Sequence, residues 1–276
     1  RVRSVDAAGM PVAEVKGAKI ETFIPPTARV KTTMDATVDA DGAIVAAADA
    51  KLSAGAFTAS ADGISGTFRG RLLLKPPFTQ DFNSFELSET QPDEGVKFAY
   101  PPLAWNGARF KFDVRELDGE KVFAKTFDRL IFQRATVFIG TGDMKDYTLQ
   151  ADVMTDGNRR VKSDIGLINQ RYAIVLKGNA NQLEISSNFE RFVHAVPFKV
   201  EAQKWHTLKT MVKAKPDGNG VIYAKVWERG QPEPDAWTLE AKTDIVHQSG
   251  SPGIFGFTPQ NQQRVYLDNL VVTPNP

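Results

Sequence analysis

Beyond residue 78 apolar and polar positions alternate along the chain. Arg109 to Val114 sets Phe110, Phe112 and Val114 on one side and Arg109, Lys111 and Asp113 on the other; Tyr147 to Val153 groups Tyr147, Leu149, Ala151 and Val153. Successive Cβ atoms of a strand point to opposite faces, so this period marks half-buried strands. Further runs span Ile165–Leu176, Gln182–Ser186, Trp205–Val212, Val221–Trp227 and Arg264–Val272, with turn signals at Asp118-Gly119, Asp156-Gly157, Lys177-Gly178 and Asp217-Gly218. The chain carries no long amphipathic helical pattern. So many short strands do not bury their faces as one open sheet, and the pattern predicts two packed sheets.

Residues 1–75 differ in texture. They are rich in Ala, Gly, Thr and Val, and Ala8-Gly9, Asp41-Gly42 and Asp62-Gly63 divide short alternating runs such as Ala56 to Ser60 and Gly66 to Leu72. That predicts a small antiparallel sandwich, with at most a helical turn over Ala46 to Ala54. Pro76-Pro77 is the expected boundary, giving domains 1–75 and 78–276 of an all-β protein.

Composition narrows the function classes. The 276 residues are 42% hydrophobic and 24% charged, which is globular, and 34 Lys and Arg against 33 Asp and Glu leave a formal charge of +1. The chain lacks the global field of a protein that wraps nucleic acid. With no cysteine there are no disulfides and no thiolate chemistry. No apolar run approaches the ~20 residues of a membrane span. A first residue of Arg rather than Met suggests a mature or trimmed fragment.

Four stretches of the second part resemble the concanavalin A-like jelly roll, including laminin G-like modules. They are the opening Phe78 to Phe85, the central Asp164 to Ile168 with Tyr172 to Leu176 and Leu183 to Ile185, the Trp205-His206-Thr207-Leu208-Lys209 strand, and the closing Val265 to Val272. With Val137 to Gly140, Tyr147 to Val153 and Gly250 to Ile254, the order also resembles the C-terminal region of secreted bacterial proteins that carry a pyrroloquinoline-quinone-type β-propeller. There an immunoglobulin-like domain precedes the jelly roll; residues 1–75 are similar to it in place and in their later strands, though shorter than the ~100 residues of a full sandwich. The resemblance implies a secreted, periplasmic or cell-surface location, and a neighbouring propeller in the same chain as partner. It implies no organic cofactor in this part. It also implies a structural calcium ion joining first and last strands, with Asp81 and Asp268 as ligands; alternatively, Asp268 accepts backbone N–H bonds at a strand end.

The candidate chemistry follows from residue types. A pyranose offers an apolar C–H face and a rim of hydroxyls, so its site needs aromatic platforms with planar polar groups. Trp105, Trp227 and Trp237, with Asn169, Arg171 and Tyr172 at central strand ends, supply these, while Trp205 reads as core. Glu116-Leu117-Asp118-Gly119-Glu120 resembles the paired-carboxylate strand of jelly-roll glycoside hydrolases. The same Asp118-Gly119 reads as a hairpin turn that splays the two glutamates at a solvated tip. Three readings follow: a non-catalytic glycan-binding module, a structural or protein-interaction module beside a propeller, and a glycoside hydrolase using Glu116 and Glu120.

Overall fold

The computed structural model describes residues 1–92, 94–127, 133–260 and 262–276. The protein is all-β, and the described residues include a single turn of 3-10 helix at Phe189–Arg191. Two compact units emerge, one of residues 1–74 with 102–104 and one of residues 75–101 with 105–276.

The smaller unit holds seven strands: β1 (Val2–Val5), β2 (Pro11–Val15), β3 (Lys19–Phe23), β4 (Thr37–Val38), β5 (Ile44–Val45), β6 (Ser53–Ala61) and β7 (Ile64–Leu72). They form the hairpins β1-β2 and β4-β5 and a three-stranded sheet β3-β6-β7. Phe57, fully buried, stacks on Phe68 across the β6-β7 pair at 5.4 Å. The expected helical turn near Ala46 does not form; Ser53 and Ala54 already belong to β6.

The larger unit continues with β8 (Phe78–Gln80), β9 (Glu89–Thr90), β10 (Lys97–Ala99), β11 (Phe112–Leu117), β12 (Glu120–Lys125), β13 (Arg134–Phe138), β14 (Tyr147–Thr155) and β15 (Asp164–Asn169). Then come β16 (Tyr172–Lys177), β17 (Gln182–Ser186), β18 (Val193–Pro197), β19 (Trp205–Ala214), β20 (Gly220–Glu228), β21 (Leu239–Thr243), β22 (Gly253–Phe257) and β23 (Val265–Pro274). The larger sheet runs β21-β20-β19-β14-β23-β12-β11-β10-β9, with β8 also paired to β23; the smaller runs β13-β22-β15-β16-β17-β18. First and last strands of this unit therefore lie side by side.

Alternation decides which residues meet between the sheets. Tyr147, Leu149, Ala151 and Val153 of β14 point inward beside Leu208 and Val212 of β19 and Ile222 and Ala224 of β20, all without solvent contact. Asn169 ties the layers together: its Nδ2 donates to the carbonyls of Tyr147 and Thr210. A second core surrounds Phe123, whose ring stacks on Phe112 at 4.6 Å and on Phe82 at 5.3 Å.

The expected face shared by Phe110, Phe112 and Val114 is corrected. Phe110 has φ +68° and is 64% exposed, because β11 starts only at Phe112 and Phe110 sits in the turn before it. Asp118-Gly119 forms the expected hairpin turn, both residues having positive φ, which is the two-residue geometry that matches strand twist. Gln170-Arg171 does the same between β15 and β16.

Candidate functional site

The outer face of the larger sheet, turned away from the smaller one, collects the aromatic and cationic side chains. Because Leu208 and Val212 of β19 point inward, Trp205, Thr207, Lys209, Met211 and Lys213 point outward. On β20 the outward set is Val221, Tyr223, Lys225 and Trp227, in register opposite Lys213, Met211, Lys209 and Thr207. Trp205 is thus corrected from core to surface: it is half-buried and carries the Arg229 guanidinium 5.2 Å above its ring.

Residues 229–238 then return toward this face before β21. Trp237 meets Tyr223 at 5.3 Å, and Lys225 Nζ lies 4.6 Å from the Trp237 ring centre. Lys225 Nζ also donates to the Pro234 carbonyl, and Glu233 accepts from both Lys209 and Lys225 at 2.9 Å. Burial works against ionisation of Glu233, but the two ammonium groups outweigh it and hold the carboxyl below its ordinary value.

Toward the middle of the sheet one guanidinium holds three carboxylates. Arg229 Nη1 reaches Glu120 at 2.8 Å, its Nε reaches Asp152 at 3.0 Å and its Nη2 reaches Asp268 at 3.4 Å. Asp152 accepts further bonds from Thr207 Oγ1 and Asn269 Nδ2. Burial pushes the Asp268 carboxyl up to about 6, against the Asn269 backbone N–H and Arg229, which pull it down. The charged form is therefore costly in the folded state. Unfolded, this carboxyl titrates near 3.8, so the cost is absent below that pH, grows as pH rises toward 6 and is constant above it. Asp268→Asn is accordingly expected to raise the thermal midpoint relative to the native chain at pH 7.5, with the gain vanishing near pH 4. A gain of equal size at both pH values would contradict this.

The predicted sugar-binding residues separate into three places. Trp227 and Trp237 lie half-exposed on the outer face just described. Arg171 and Tyr172 sit at the β15-β16 turn of the other sheet, where the Tyr172 ring is 4.9 Å from His247 and its hydroxyl accepts the His247 backbone N–H. Trp105 and Asn169 are interior. Trp105 is 3% exposed and edge-on to Phe82 and Phe123, so it offers no stacking face, and Asn169 is spent on the two carbonyls between the sheets. Sequence reading missed Lys209, Tyr223, Lys225, Arg229 and Glu233. Writing out the outward rungs of the adjacent strands β19 and β20 would have found the first three.

The paired-carboxylate reading fails on register. Glu116 faces Lys121 and Leu117 faces Glu120 across the hairpin, so the two glutamates project from opposite faces, and Glu120 is engaged by Arg229. Opposite faces do not place two carboxyls about one glycosidic bond.

The two residues of the implied calcium site stand in different surroundings. Asp81 is exposed and accepts the Asn83 N–H, whereas Asp268 is buried and holds a guanidinium, with its Oδ1 taken by the Asn269 N–H. Among the described residues no group of three or more His, Cys, Asp or Glu side chains could hold a metal ion.

No protein-family model matches the chain, and no curated protein matches it. Among solved structures it is similar to a carbohydrate-binding module from Bacillus subtilis, with 14% identity and a TM-score of 0.41 over 61% of this chain and 94% of that one. It is similar to a marine alginate lyase from Aplysia kurodai, with 9% identity and a TM-score of 0.44 over 62% and 89% of the two chains. It is also similar to an endo-β-1,4-glucuronan lyase from the fungus Trichoderma reesei, with 13% identity and a TM-score of 0.41 over 72% and 95%. These likenesses assign no residue a role.

Proposed function

We propose that this chain is a non-catalytic glycan-binding module of an extracytoplasmic bacterial protein, working beside a propeller domain of the same chain. One observation carries the binding reading: Trp205, Trp227, Trp237 and Tyr223 stand half-exposed on the outer face of the larger sheet and its β20-β21 loop, interleaved with Lys209, Lys225 and Arg229. Indole surface suits the apolar C–H face of a pyranose, and the flanking lysine ammonium groups suit its hydroxyls. Cations over Trp205 and Trp237 fix those rings without occupying all of their surface. The extracytoplasmic and propeller parts of the proposal are supported by the sequence resemblance alone.

A glycan array followed by affinity electrophoresis of the whole chain tests the reading. Retention by at least one polysaccharide is expected. Trp227→Ala and Trp237→Ala are each expected to weaken it about tenfold, which corresponds to ~1.4 kcal/mol, while leaving the circular dichroism spectrum unchanged. A folded chain that no glycan retains, or alanine variants that bind as well as the native chain, would remove it.

A further inference from the structure

Lys209 and Lys225 occupy directly opposed positions of β19 and β20 and project from the same face. Like charges directly opposite one another on a sheet repel. Here both ammonium groups converge on one carboxylate, that of Glu233, and Lys225 is 5% exposed, so one of the two is fixed deep in the face. Lys225 is further held by the Trp237 ring and the Pro234 carbonyl. The cations thus belong to the rigid sheet, whereas the anion comes from an exposed residue flanked by Pro232 and Pro234 on a loop. In this arrangement the lysine pair on the sheet is the fixed part, and the Glu233 carboxylate between them comes from the loop.

The aromatic surface adjoins this lysine pair. Trp237 borders it through Lys225 and touches Tyr223, over which Lys213 Nζ lies at 6.0 Å. Lys209 and Lys213 are two outward rungs apart on β19, roughly 13 Å, so positive charge continues along the face beside the rings. Arg229 at the other end is already matched by Glu120, Asp152 and Asp268 and offers an anion nothing. We propose that this face takes a glycan bearing carboxylates, a uronate polymer, with a sugar carboxylate seated between Lys209 and Lys225 in place of the Glu233 carboxylate and a sugar ring against Trp237. This inference rests on the glycan-binding reading and adds the chemical class of ligand.

The test uses the whole chain with polygalacturonate, alginate and hyaluronate, each beside its carboxyl-methylated counterpart, in affinity gels at low and high salt. At least one acidic polymer is expected to retard the chain, with retardation lost on methylation and weakened by salt. Glu233→Gln is expected to strengthen that retardation about tenfold and Lys209→Gln to weaken it about tenfold, a change of ~1.4 kcal/mol each. Lys209 is more exposed than Lys225 and is the safer substitution, and thermal midpoints confirm that both variants fold. Equal retention of acidic and methylated polymers, lost in Trp237→Ala, overturns the uronate assignment and leaves glycan binding standing. Retention that Glu233→Gln and Lys209→Gln leave unchanged overturns the seat between the lysines. Retention by no polymer of either kind, nor by any neutral glycan, overturns both.

Discussion

Phe123→Ala is expected to destabilise the larger unit by about 3–5 kcal/mol, the range for truncating a fully buried aromatic. The ring is inaccessible to solvent and is the centre of a cluster: Phe112 is parallel to it at 4.6 Å and 2°, Phe82 at 5.3 Å and 11°, and Trp105 meets it edge-on at 5.4 Å. Removing it leaves three large rings around a void that rigid β12 and β11 do not collapse into, so the cavity adds to the lost transfer energy. All four tryptophans lie in this unit, so indole fluorescence during urea unfolding follows it without contribution from residues 1–74. Phe123→Leu, which keeps most of the volume, is expected to lose distinctly less. A shift in Phe123→Ala worth under ~1 kcal/mol would contradict the packing described.

Arg115→Met is expected to cost a similar ~3–5 kcal/mol for an electrostatic reason. Arg115 grips Asp113 with two parallel bonds, Nε to Oδ1 at 2.9 Å and Nη2 to Oδ2 at 2.7 Å, while its Nη1 reaches Glu94. Arg264 holds the other side of Glu94 and donates to the Lys125 carbonyl. Asp113 and Arg115 are both buried, so removing the guanidinium strands a carboxylate that, among the described residues, Gln91 alone still hydrogen-bonds. A charge left without its partner in such a place costs far more than the pair was worth. The double variant Arg115→Met with Asp113→Leu is therefore expected to recover much of the loss. If it is no more stable than Arg115→Met alone, the stranded charge is not the cause.

The larger unit was legible wherever a strand kept its own period. Tyr147 to Val153 alternates without a break, and β14 buries the four residues that alternation selects. Asp118-Gly119 advertised its turn, since Gly accepts positive φ at no steric cost. Gln170-Arg171 adopts the same conformation without such a residue and gave no warning. In β23 the alternation slips: Leu267 and Leu270 both point inward because Asn269, at φ +48°, inserts an extra residue where the register with β14 shifts. Trp205 was misjudged because an aromatic in a patterned strand reads as core until its neighbours reveal which phase faces in.

The candidate site was legible only as a stock of parts. Trp227, Trp237 and Asp268 could be named, but not that Arg229 would clasp Glu120 from 109 residues away. By itself the amino-acid order determined that the chain makes strands, where the rungs of its regularly alternating strands such as β14 fall and that aromatic and cationic groups are at hand, because strand alternation is a property of the local backbone. Only the tertiary structure decided which rungs look outward, that two lysines share one carboxylate and that Trp105 is interior. Those outcomes depend on pairing between strands remote in sequence and on which face the second sheet covers, and neither is encoded in any short stretch of residues.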